Sequence, residues 1–292
     1  MSVPRMLAHL FLERLSRQEL PRVPEADAVM EVPEQIAAFA DSGAENGILA
    51  WLYLFHSLQS APLIRPGDTV LDLACGPANQ LLRIAQLNPQ AQFIGVDASA
   101  RMLEQARATL ERNQVGNVSL LQDDITCLRT VKDSSVDCAL CTMSLHHLPD
   151  VHALQQTMHT TRRVLRRRGG VYLADFGRLK HRATQNYFAY DRADCQSAQF
   201  TRDFLNSLQA AFSVEELAQA TAVFDDEVRQ SQTALAPFMV VLKTPPRRQI
   251  DDATRGLAHA LHAQLSAGQR RDFNNFDRWF RAAGNPSALA LK

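Results

Sequence analysis

The sequence has no excess of charge of either sign, since 31 Lys and Arg residues balance 31 Asp and Glu residues in a chain of 292. A balanced chain lacks the overall field that attracts nucleic acid or an anionic membrane, so we expect neither as a general partner. A local basic patch stays compatible with this balance. Hydrophobic residues make up 46% of the chain, which is enough for a large buried core.

Long apolar runs are also missing from the sequence. No run approaches the roughly 20 residues that a helix needs to span a bilayer. The first twenty residues interrupt their apolar positions with Arg and Glu, and so lack the continuous apolar stretch of a secretory signal peptide. We therefore expect a cytoplasmic protein without membrane association.

Cysteine is sparse, and the five residues show no disulfide-like spacing, which fits a reducing compartment. Cys138 and Cys141 form a CxxC pair, but they lie in the apolar run VDCALCTM, which predicts a buried strand. Residues three apart on a strand point to opposite faces, so the pair cannot converge on one metal ion. We expect no metal centre.

Three regions differ in their hydrophobic pattern. Residues 1–65 show helical spacing broken by prolines and predict a helical N-terminal cap. Residues 66–245 alternate short β-rich runs with helical patterns, which predicts an α/β domain with a mostly parallel sheet and helices on both faces. Residues 246–292 predict a helical C-terminal extension that we expect to be structural. We expect its apolar stripes to be covered either by the parent domain or by a second subunit, and the second alternative would make the protein a homodimer.

The middle region contains six predicted strands, each an apolar run that ends at turn or polar residues. They are residues 69–74, 92–98, 118–124, 136–143, 171–176 and 237–244. Ser99, Asp150 and Ser213 are predicted helix N-caps.

The strongest functional signal is DLACGPAN at residues 72–79, at the carboxyl end of the first predicted strand. Ligands of open α/β sheets bind beyond that end, where a tight turn exposes backbone groups. Gly76 has no Cβ, so a ligand can approach its backbone closely. An ordinary Gly-Pro turn is the competing interpretation of this motif taken alone.

Two further predicted strands end in carboxylates. Asp97 ends the second strand, where a carboxylate can accept hydrogen bonds from both hydroxyls of a ribose. Asp123 and Asp124 end the third strand, in position to accept from an adenine amino group, with Ile125 beside the ring. The three strand ends together predict a nucleoside-binding site.

The turn also distinguishes between nucleoside cofactors. A dinucleotide site requires G-x-G-x-x-G, yet Ala78 and Leu81 occupy the second and third glycine positions here. Asp72 would repel a pyrophosphate, whereas it would attract a sulfonium that carries a free amino group. S-adenosylmethionine (SAM) fits these residues, and NAD or FAD does not.

These residues belong to a longer series of motifs that resembles a known family. The runs VLDLACGP, FIGVDAS, RMLEQA, LQDDI, VDCALCTMSLHHLPD and RRVLRRRGGVYLADF occur in family order. They resemble class I SAM-dependent methyltransferases, within the ubiquinone- and menaquinone-biosynthesis-like branch of small-molecule enzymes. The resemblance covers residues 66–176 and extends to about residue 244. It implies a Rossmann-like seven-stranded sheet with the last strand antiparallel, SAM as cofactor and S-adenosylhomocysteine as product.

The resemblance also implies which residues contact SAM. They are Asp72, Ala74, Gly76, Pro77, Ala78, Asp97, Ala98, Met102, Asp123, Asp124, Ile125, Thr142, Met143 and Ser144. Ala74 and Ala78 replace two family glycines. Alanine costs little where φ stays negative, so we expect a slightly wider turn with binding retained.

A basic cluster departs from the family pattern before the fifth predicted strand. Arg166–Arg168 and two glycines replace the family's Lys-Pro-Gly-Gly, and Arg162 and Arg163 precede them. An RNA-binding patch and a solvated helix end both explain the cluster. We favour the helix end, because arginine there complements the helix dipole.

His146 and His147 follow the fourth predicted strand and are the candidate catalytic residues, because histidine can act as general base for an acceptor hydroxyl. We favour a structural role for the pair over this catalytic one, because the family often carries the pair whatever its substrate. We also expect residues 45–58 to close over the cofactor, since a lid would exclude water. The candidate acceptor contacts are Tyr53, His56, Tyr187, Tyr190 and Asn206.

Three functions stay open at this point. The favoured one is methylation of a small-molecule acceptor; the others are methylation of RNA or protein through the arginine cluster, and SAM binding without transfer. SN2 methyl transfer requires little beyond alignment and a dry site. The acceptor and its reacting atom therefore leave no mark in the sequence.

Overall fold

The structure, a computed structural model, describes residues 3–17, 19–26 and 29–285. In chain order the helices are α1 (Val3–Leu15), α2 (Pro33–Gly43), α3 (Ala50–Ser60), α4 (Asn79–Leu87), α5 (Ala100–Arg112), α6 (Val151–Val164), α7 (Arg182–Tyr190), α8 (Ala198–Ala210), α9 (Val214–Thr221), α10 (Asp252–Gln264) and α11 (Ala267–Arg281). The strands are β1 (Thr69–Leu73), β2 (Gln92–Asp97), β3 (Val118–Gln122), β4 (Val136–Thr142), β5 (Leu165–Asp175), β6 (Arg229–Gln232) and β7 (Val240–Lys243). Across these ranges, every helix is too short or too polar to cross a membrane.

Within the described chain the seven strands form one sheet in the order β3-β2-β1-β4-β5-β7-β6. β1 to β5 run parallel to one another, whereas β7 runs antiparallel to β5 and β6 antiparallel to β7. The predicted α/β fold with an antiparallel last strand is confirmed. Because β1 lies between β2 and β4, the strand order reverses there, and a crevice opens beyond the carboxyl ends of these strands.

Strand side chains alternate between two core layers, one on each face of the sheet. In β4, Cys138 and Leu140 pack in the layer that contains residues of α3 and α4. Ala139 and Cys141 pack in the opposite layer, with residues of α6 and α9. The prediction that Cys138 and Cys141 point to opposite faces is therefore confirmed.

The C-terminal extension packs on the N-terminal cap through aromatic rings. The ring of Phe55 in α3 lies 6.4, 4.9 and 5.4 Å, centroid to centroid, from those of Phe273, Phe276 and Phe280 in α11. All three rings of α11 are buried. Of the two alternatives from the sequence, the parent domain thus covers this stripe.

The structure divides the basic cluster between a helix end and a strand. Arg162 and Arg163 lie in the last turn of α6, as the favoured interpretation predicted, whereas Arg166–Arg168 lie in β5, which corrects the interpretation for these three. β5 begins at Leu165 instead of Val171, and Leu165 pairs with Val136 at the start of β4. The pairing register between β4 and β5 shifts between Val136 and Cys138, which accommodates the extra residues of β5. Arg166 forms an ion pair with Asp137. The cluster is therefore near the amino ends of the parallel strands, at the opposite end of the sheet from the crevice.

Local signals were otherwise reliable at helix starts. The side chains of Ser99, Asp150 and Ser213 each accept a hydrogen bond from the backbone N–H three residues later, as predicted for N-caps. β6 was missed, because its sequence RQSQ shows no apolar alternation. This strand is instead held by its backbone hydrogen bonds to β7, with which it pairs over all four residues.

Candidate active site

A cavity of about 1190 Å³ opens beyond the carboxyl ends of β1, β2 and β4. Twelve of the predicted cofactor residues line it, together with both candidate catalytic histidines. The twelve are Asp72, Ala74, Gly76, Pro77, Asp97, Ala98, Met102, Asp124, Ile125, Thr142, Met143 and Ser144. Sequence motifs far apart in the chain therefore converge on one cavity.

The turn after β1 has three residues in the left-handed region of backbone conformation. Ala74, Gly76 and Ala78 have φ angles of 54°, 53° and 60°. The expectation that φ stays negative at the two alanines was wrong. An L-residue in the left-handed region costs roughly 1–2 kcal/mol, so the surrounding structure holds this turn in shape against local strain.

Asp97 both braces the turn and faces the cavity. Its Oδ2 accepts a hydrogen bond from Gly76 N at 2.8 Å, and its Oδ1 accepts one from Ser99 N at 2.9 Å. Each carboxylate oxygen has a further lone pair, and the side chain is only partly buried. Asp97 can therefore accept hydrogen bonds from the two hydroxyls of a ribose while keeping its backbone contacts.

Asp72 is a buried acid without a cationic partner among the described residues. Burial, with a smaller contribution from the charge of Asp97, raises the pKa of Asp72 to about 8. An ammonium group brought beside it would favour the ionised form. The amino end of SAM carries such a charge.

We expect SAM binding to release a proton from Asp72 between about pH 5 and 8. In that range the carboxyl group is protonated without ligand, and the positive charges of SAM lower its pKa. Titration calorimetry in buffers of different ionisation enthalpy measures the release, which is smaller in Asp72→Asn. Equal proton release by that variant would contradict this role for Asp72.

Two of the predicted cofactor residues do not line the cavity. Oδ2 of Asp123 accepts two hydrogen bonds from Thr130, one from its backbone N–H at 2.8 Å and one from its hydroxyl at 2.5 Å. It therefore ties down its own loop rather than facing the adenine site. Ala78 is fully buried at the start of α4. Asp124 and Ile125 are the residues at this strand end that face the cavity.

The end of β4 is held by contacts that the sequence did not reveal. Gln80 Nε2 donates a hydrogen bond to Thr142 Oγ1 at 2.7 Å, and Ser144 Oγ donates to Ala74 O at 3.3 Å. Met143 has a φ of 57°. These contacts fix β4 against the turn after β1, where the sulfonium of SAM is expected.

Each of the two histidines is held by a carboxylate. His146 Nδ1 lies 2.6 Å from Asp175 Oδ1, and both side chains are 2% exposed. Burial lowers the pKa of His146, but the charge and hydrogen bond of Asp175 outweigh burial, and the net pKa is raised. His147 Nδ1 is bonded to Glu25 Oε2. The second ring nitrogen of His146 is buried without a partner in the described structure.

Three of the five predicted acceptor contacts are not in the cavity wall. His56 is fully buried behind the sheet, with Nδ1 2.7 Å from the Tyr172 hydroxyl. Tyr187 stacks on His9 with ring centroids 4.5 Å apart. Tyr190 is 52% exposed at the end of α7. Tyr53 and Asn206 do line the cavity.

The remaining cavity wall includes charged residues, among them Asp191, Arg192, Asp203 and Arg271. Another part of it is formed by aromatic rings, most of which the sequence did not predict. This part, which we call the acceptor chamber, is lined by Trp51, Phe176, Phe188, Phe200, Phe204, Phe238, Phe276 and Trp279. Phe238 and Trp279 stack with centroids 5.5 Å apart, and Trp279 Nε1 donates to Ala234 O at 2.8 Å. Phe276 and Trp279 of α11 thus line the cavity, so the C-terminal extension contributes to the candidate site in addition to the structural role that the sequence predicted.

Four residues between α1 and α2 line the cavity, namely Glu25, Ala26, Val29 and Met30, and we call residues 20–26 and 29–31 the N-terminal strap. Arg22 donates hydrogen bonds to the carbonyl oxygens of Ala210, Pro149 and His146 at 2.7, 2.6 and 2.8 Å, and also to that of Leu148. These contacts fix the strap to the loop that follows β4.

We expect the strap and α2, rather than residues 45–58, to respond most to cofactor. Strap residues 25, 26, 29 and 30 line the cavity, as does Phe39 of α2. Residues 48, 49 and 51–53 line it too, but from residue 52 onward α3 is already buried and so has less protection to gain. Hydrogen exchange should show residues 22–26 and 29–39 gaining protection when S-adenosylhomocysteine binds. A gain confined to α3 would show that the lid lies where the sequence placed it.

Comparison with known proteins identifies a family match. Residues 64–236 match the model of the methyltransferase domain family. The chain is 33% identical to the 2-phytyl-1,4-naphtoquinone methyltransferase of Nostoc sp. over 39% of this chain and 49% of that protein. It is 38% identical to the trans-aconitate 2-methyltransferase of Deinococcus radiodurans over 32% of this chain and 34% of that protein.

A third relative acts in a different context. The ribosomal RNA large subunit methyltransferase G of Vibrio vulnificus is 32% identical over 34% of this chain and 27% of that protein. The matches span less than half the length of each of these three relatives. A solved SAM-dependent methyltransferase from Aquifex aeolicus aligns with 74% of this chain and 100% of its own, at a TM-score of 0.53 and 16% identity, which shows a common fold.

Proposed function

The chain belongs to the SAM-dependent methyltransferase family, and from this premise we propose that it transfers the methyl group of SAM to a bulky, largely apolar small molecule. The observation that carries the proposal is the aromatic acceptor chamber, which is continuous with the cofactor residues in one cavity. At about 1190 Å³ the cavity exceeds the roughly 300–1,000 Å³ typical of a single-ligand site. It has room for cofactor and acceptor together.

The chemistry of the site residues fits SAM, which would supply an electrophilic methyl group on a sulfonium. Asp72, a buried acid without a cationic partner among the described side chains, would hold the amino end. Asp97 would accept from the ribose hydroxyls, and Asp124 and Ile125 would bind the adenine. Thr142 to Ser144 would flank the reacting centre, where α3 and α11 aromatics exclude water.

His146 would receive the proton of an acceptor hydroxyl. Asp175 binds its Nδ1 and so orients the ring, leaving Nε2 as the second ring nitrogen. A neutral amine or a carbanion can attack the methyl group without first losing a proton, so His146 would not act as a base before transfer to such an acceptor. The aromatic chamber would align the acceptor with the methyl–sulfur axis, which is the main requirement of an SN2 step.

The arginine cluster gives little support for an RNA acceptor. A strand in this sheet advances about 3.3 Å per residue, so β4 separates the cluster from the cavity by roughly 20 Å. Arg163 and Arg166 are also engaged by Asp133 and Asp137. RNA bound at the cluster would not be directed into the chamber.

The experiment is methylation with SAM labelled in its methyl group. The purified chain is incubated with small-molecule extract, with total RNA and with denatured protein, and Asp97→Ala serves as the matched control. We expect label in apolar small molecules and stoichiometric S-adenosylhomocysteine from the wild type alone. Label recovered in RNA or protein would overturn the small-molecule acceptor. SAM binding without S-adenosylhomocysteine from any fraction would favour a binding protein.

A further inference from the structure

Glu25, His146 and His147 converge at the wall of the cavity between the cofactor residues and the acceptor chamber. One potential ligand atom from each of the three lies within 4.8 Å of those of the other two. The two imidazole rings are 4.2 Å apart, centroid to centroid. His146 is 2% exposed, Glu25 15% and His147 31%, so the cluster is largely screened from solvent.

We propose that these three side chains form a binding site for a divalent first-row transition-metal ion of the Zn²⁺, Co²⁺ or Fe²⁺ type. This departs from the expectation of no metal centre, which rested on the cysteine pair alone. Two imidazoles and one carboxylate form a donor set that such ions prefer, whereas Mg²⁺ and Ca²⁺ prefer oxygen ligands throughout. Three protein ligands also leave coordination positions open, as in catalytic metal sites.

Two of the three proposed ligands are oriented by hydrogen bonds with neighbouring side chains, as the ligands of metal sites usually are. Metal-bound histidines usually donate their other ring N–H to a carboxylate, which fixes the tautomer and the ring orientation. Asp175 occupies this place at His146 Nδ1, which leaves the buried, unpartnered Nε2 of His146 as the nitrogen available to a metal ion. Ser207 Oγ, 2.9 Å from Glu25 Oε1, holds the carboxylate of the third ligand.

The hydrogen bond between His147 and Glu25 is the arrangement expected of two ligands without their ion. Nδ1 of His147 and Oε2 of Glu25 already face each other at hydrogen-bond distance. A divalent ion bound by both groups would replace this hydrogen bond, so the two side chains need little movement to become ligands. The positive charge then lies beside the buried Asp175 carboxylate, which offsets part of its desolvation.

The position of the cluster suggests what the ion does, and this part of the inference rests on the proposed function. His146, His147 and Glu25 all line the cavity, as do Ser144 on the cofactor side and Asn206 on the acceptor side. An oxygen of the acceptor can fill an open coordination position there. In the metal-bound chain Nε2 of His146 is taken up by the ion, so the ion rather than His146 would lower the pKa of an acceptor hydroxyl, whose proton leaves to solvent. The acceptor class would then be a bulky apolar molecule with at least one oxygen donor.

The test is a titration of the full chain, freed of metal by a chelator and dialysis, with Co²⁺ at pH 7.5. Visible absorption of the ion reports its ligand field, and calorimetry gives the stoichiometry and affinity. We expect one Co²⁺ per chain, displaced by Zn²⁺ and unaffected by millimolar Mg²⁺. Glu25→Gln and His147→Gln should each weaken Co²⁺ binding at least tenfold.

The matched controls are Glu34→Gln and His159→Gln, which alter exposed residues outside the cavity and should leave Co²⁺ binding unchanged. Calorimetry with S-adenosylhomocysteine shows whether each variant keeps its fold. Binding of Co²⁺ that is absent in the wild type, or equally strong in both ligand variants, would overturn the site. If the site is overturned in this way but methyl transfer is retained, the proposed function stands. Conversely, if Co²⁺ binds as expected but the folded chain does not bind SAM, the proposed function is contradicted and the metal site stands.

Discussion

Replacing Asp97 with Ala should lower the affinity for SAM by at least about 100-fold. The variant loses the acceptor of two charge-assisted hydrogen bonds to the ribose, each worth about 1.5–3 kcal/mol, and about 1.4 kcal/mol corresponds to a factor of ten. It also loses the brace on the backbone N–H of Gly76. Calorimetric titration of SAM into the two proteins measures the difference.

The matched control for this variant is Asp123→Ala. That carboxylate ends the neighbouring strand but is bonded to Thr130 outside the cavity, so its loss should change SAM affinity by no more than a few-fold. Unfolding curves check that both variants are folded. A folded Asp97→Ala protein that binds SAM as tightly as the wild type would remove Asp97 from the cofactor site.

Replacing Phe280 with Ala should lower the free energy of unfolding by about 3–5 kcal/mol, the usual cost of removing a buried phenylalanine ring. Phe280 is 1% exposed and packs edge-on to Phe55, so its loss leaves a gap between α11 and α3. It lies outside the cavity wall, unlike Phe276 and Trp279. SAM affinity should therefore stay within a few-fold.

Denaturant unfolding measures this effect, and Leu257→Ala is the control. Leu257 belongs to α10 in the same extension but is 39% exposed, so its removal should cost no more than about 0.5 kcal/mol. Trp279→Ala, by contrast, should weaken acceptor binding, because its ring stacks on Phe238 inside the chamber. Equal stability of Phe280→Ala and Leu257→Ala would show that α11 does not depend on this packing.

The parts of the site that the sequence predicted are those that follow directly from strand ends. The apolar run before Asp72 places that residue at the end of β1, and parallel pairing with β2 then brings Asp97 beside it. The position of such residues in the fold can be predicted from the order of the strands along the chain. Helix starts were predictable for a similar reason, since the side chain of Ser99 accepts a hydrogen bond from the first turn of the helix that it precedes.

The parts that were missed depend on contacts between distant segments. Glu25 is bonded to His147, 122 residues further along the chain, and Arg22 ties the same strap to the carbonyl oxygen of His146. His56 faces the sheet because Tyr172, far along the chain, offers a hydroxyl there. The left-handed φ of Ala74 is likewise imposed by the surrounding packing, against the preference of alanine itself.

The claim on which the others depend is that this cavity binds SAM at the ends of β1 and β2. Titration calorimetry of the wild-type chain with S-adenosylhomocysteine, and separately with NAD, tests it most directly. One equivalent of S-adenosylhomocysteine should bind, with no heat from NAD, because Ala78 and Leu81 occupy positions where a pyrophosphate site requires glycine. Binding of NAD, or no binding of S-adenosylhomocysteine by the folded chain, would contradict the assignment of the cofactor site.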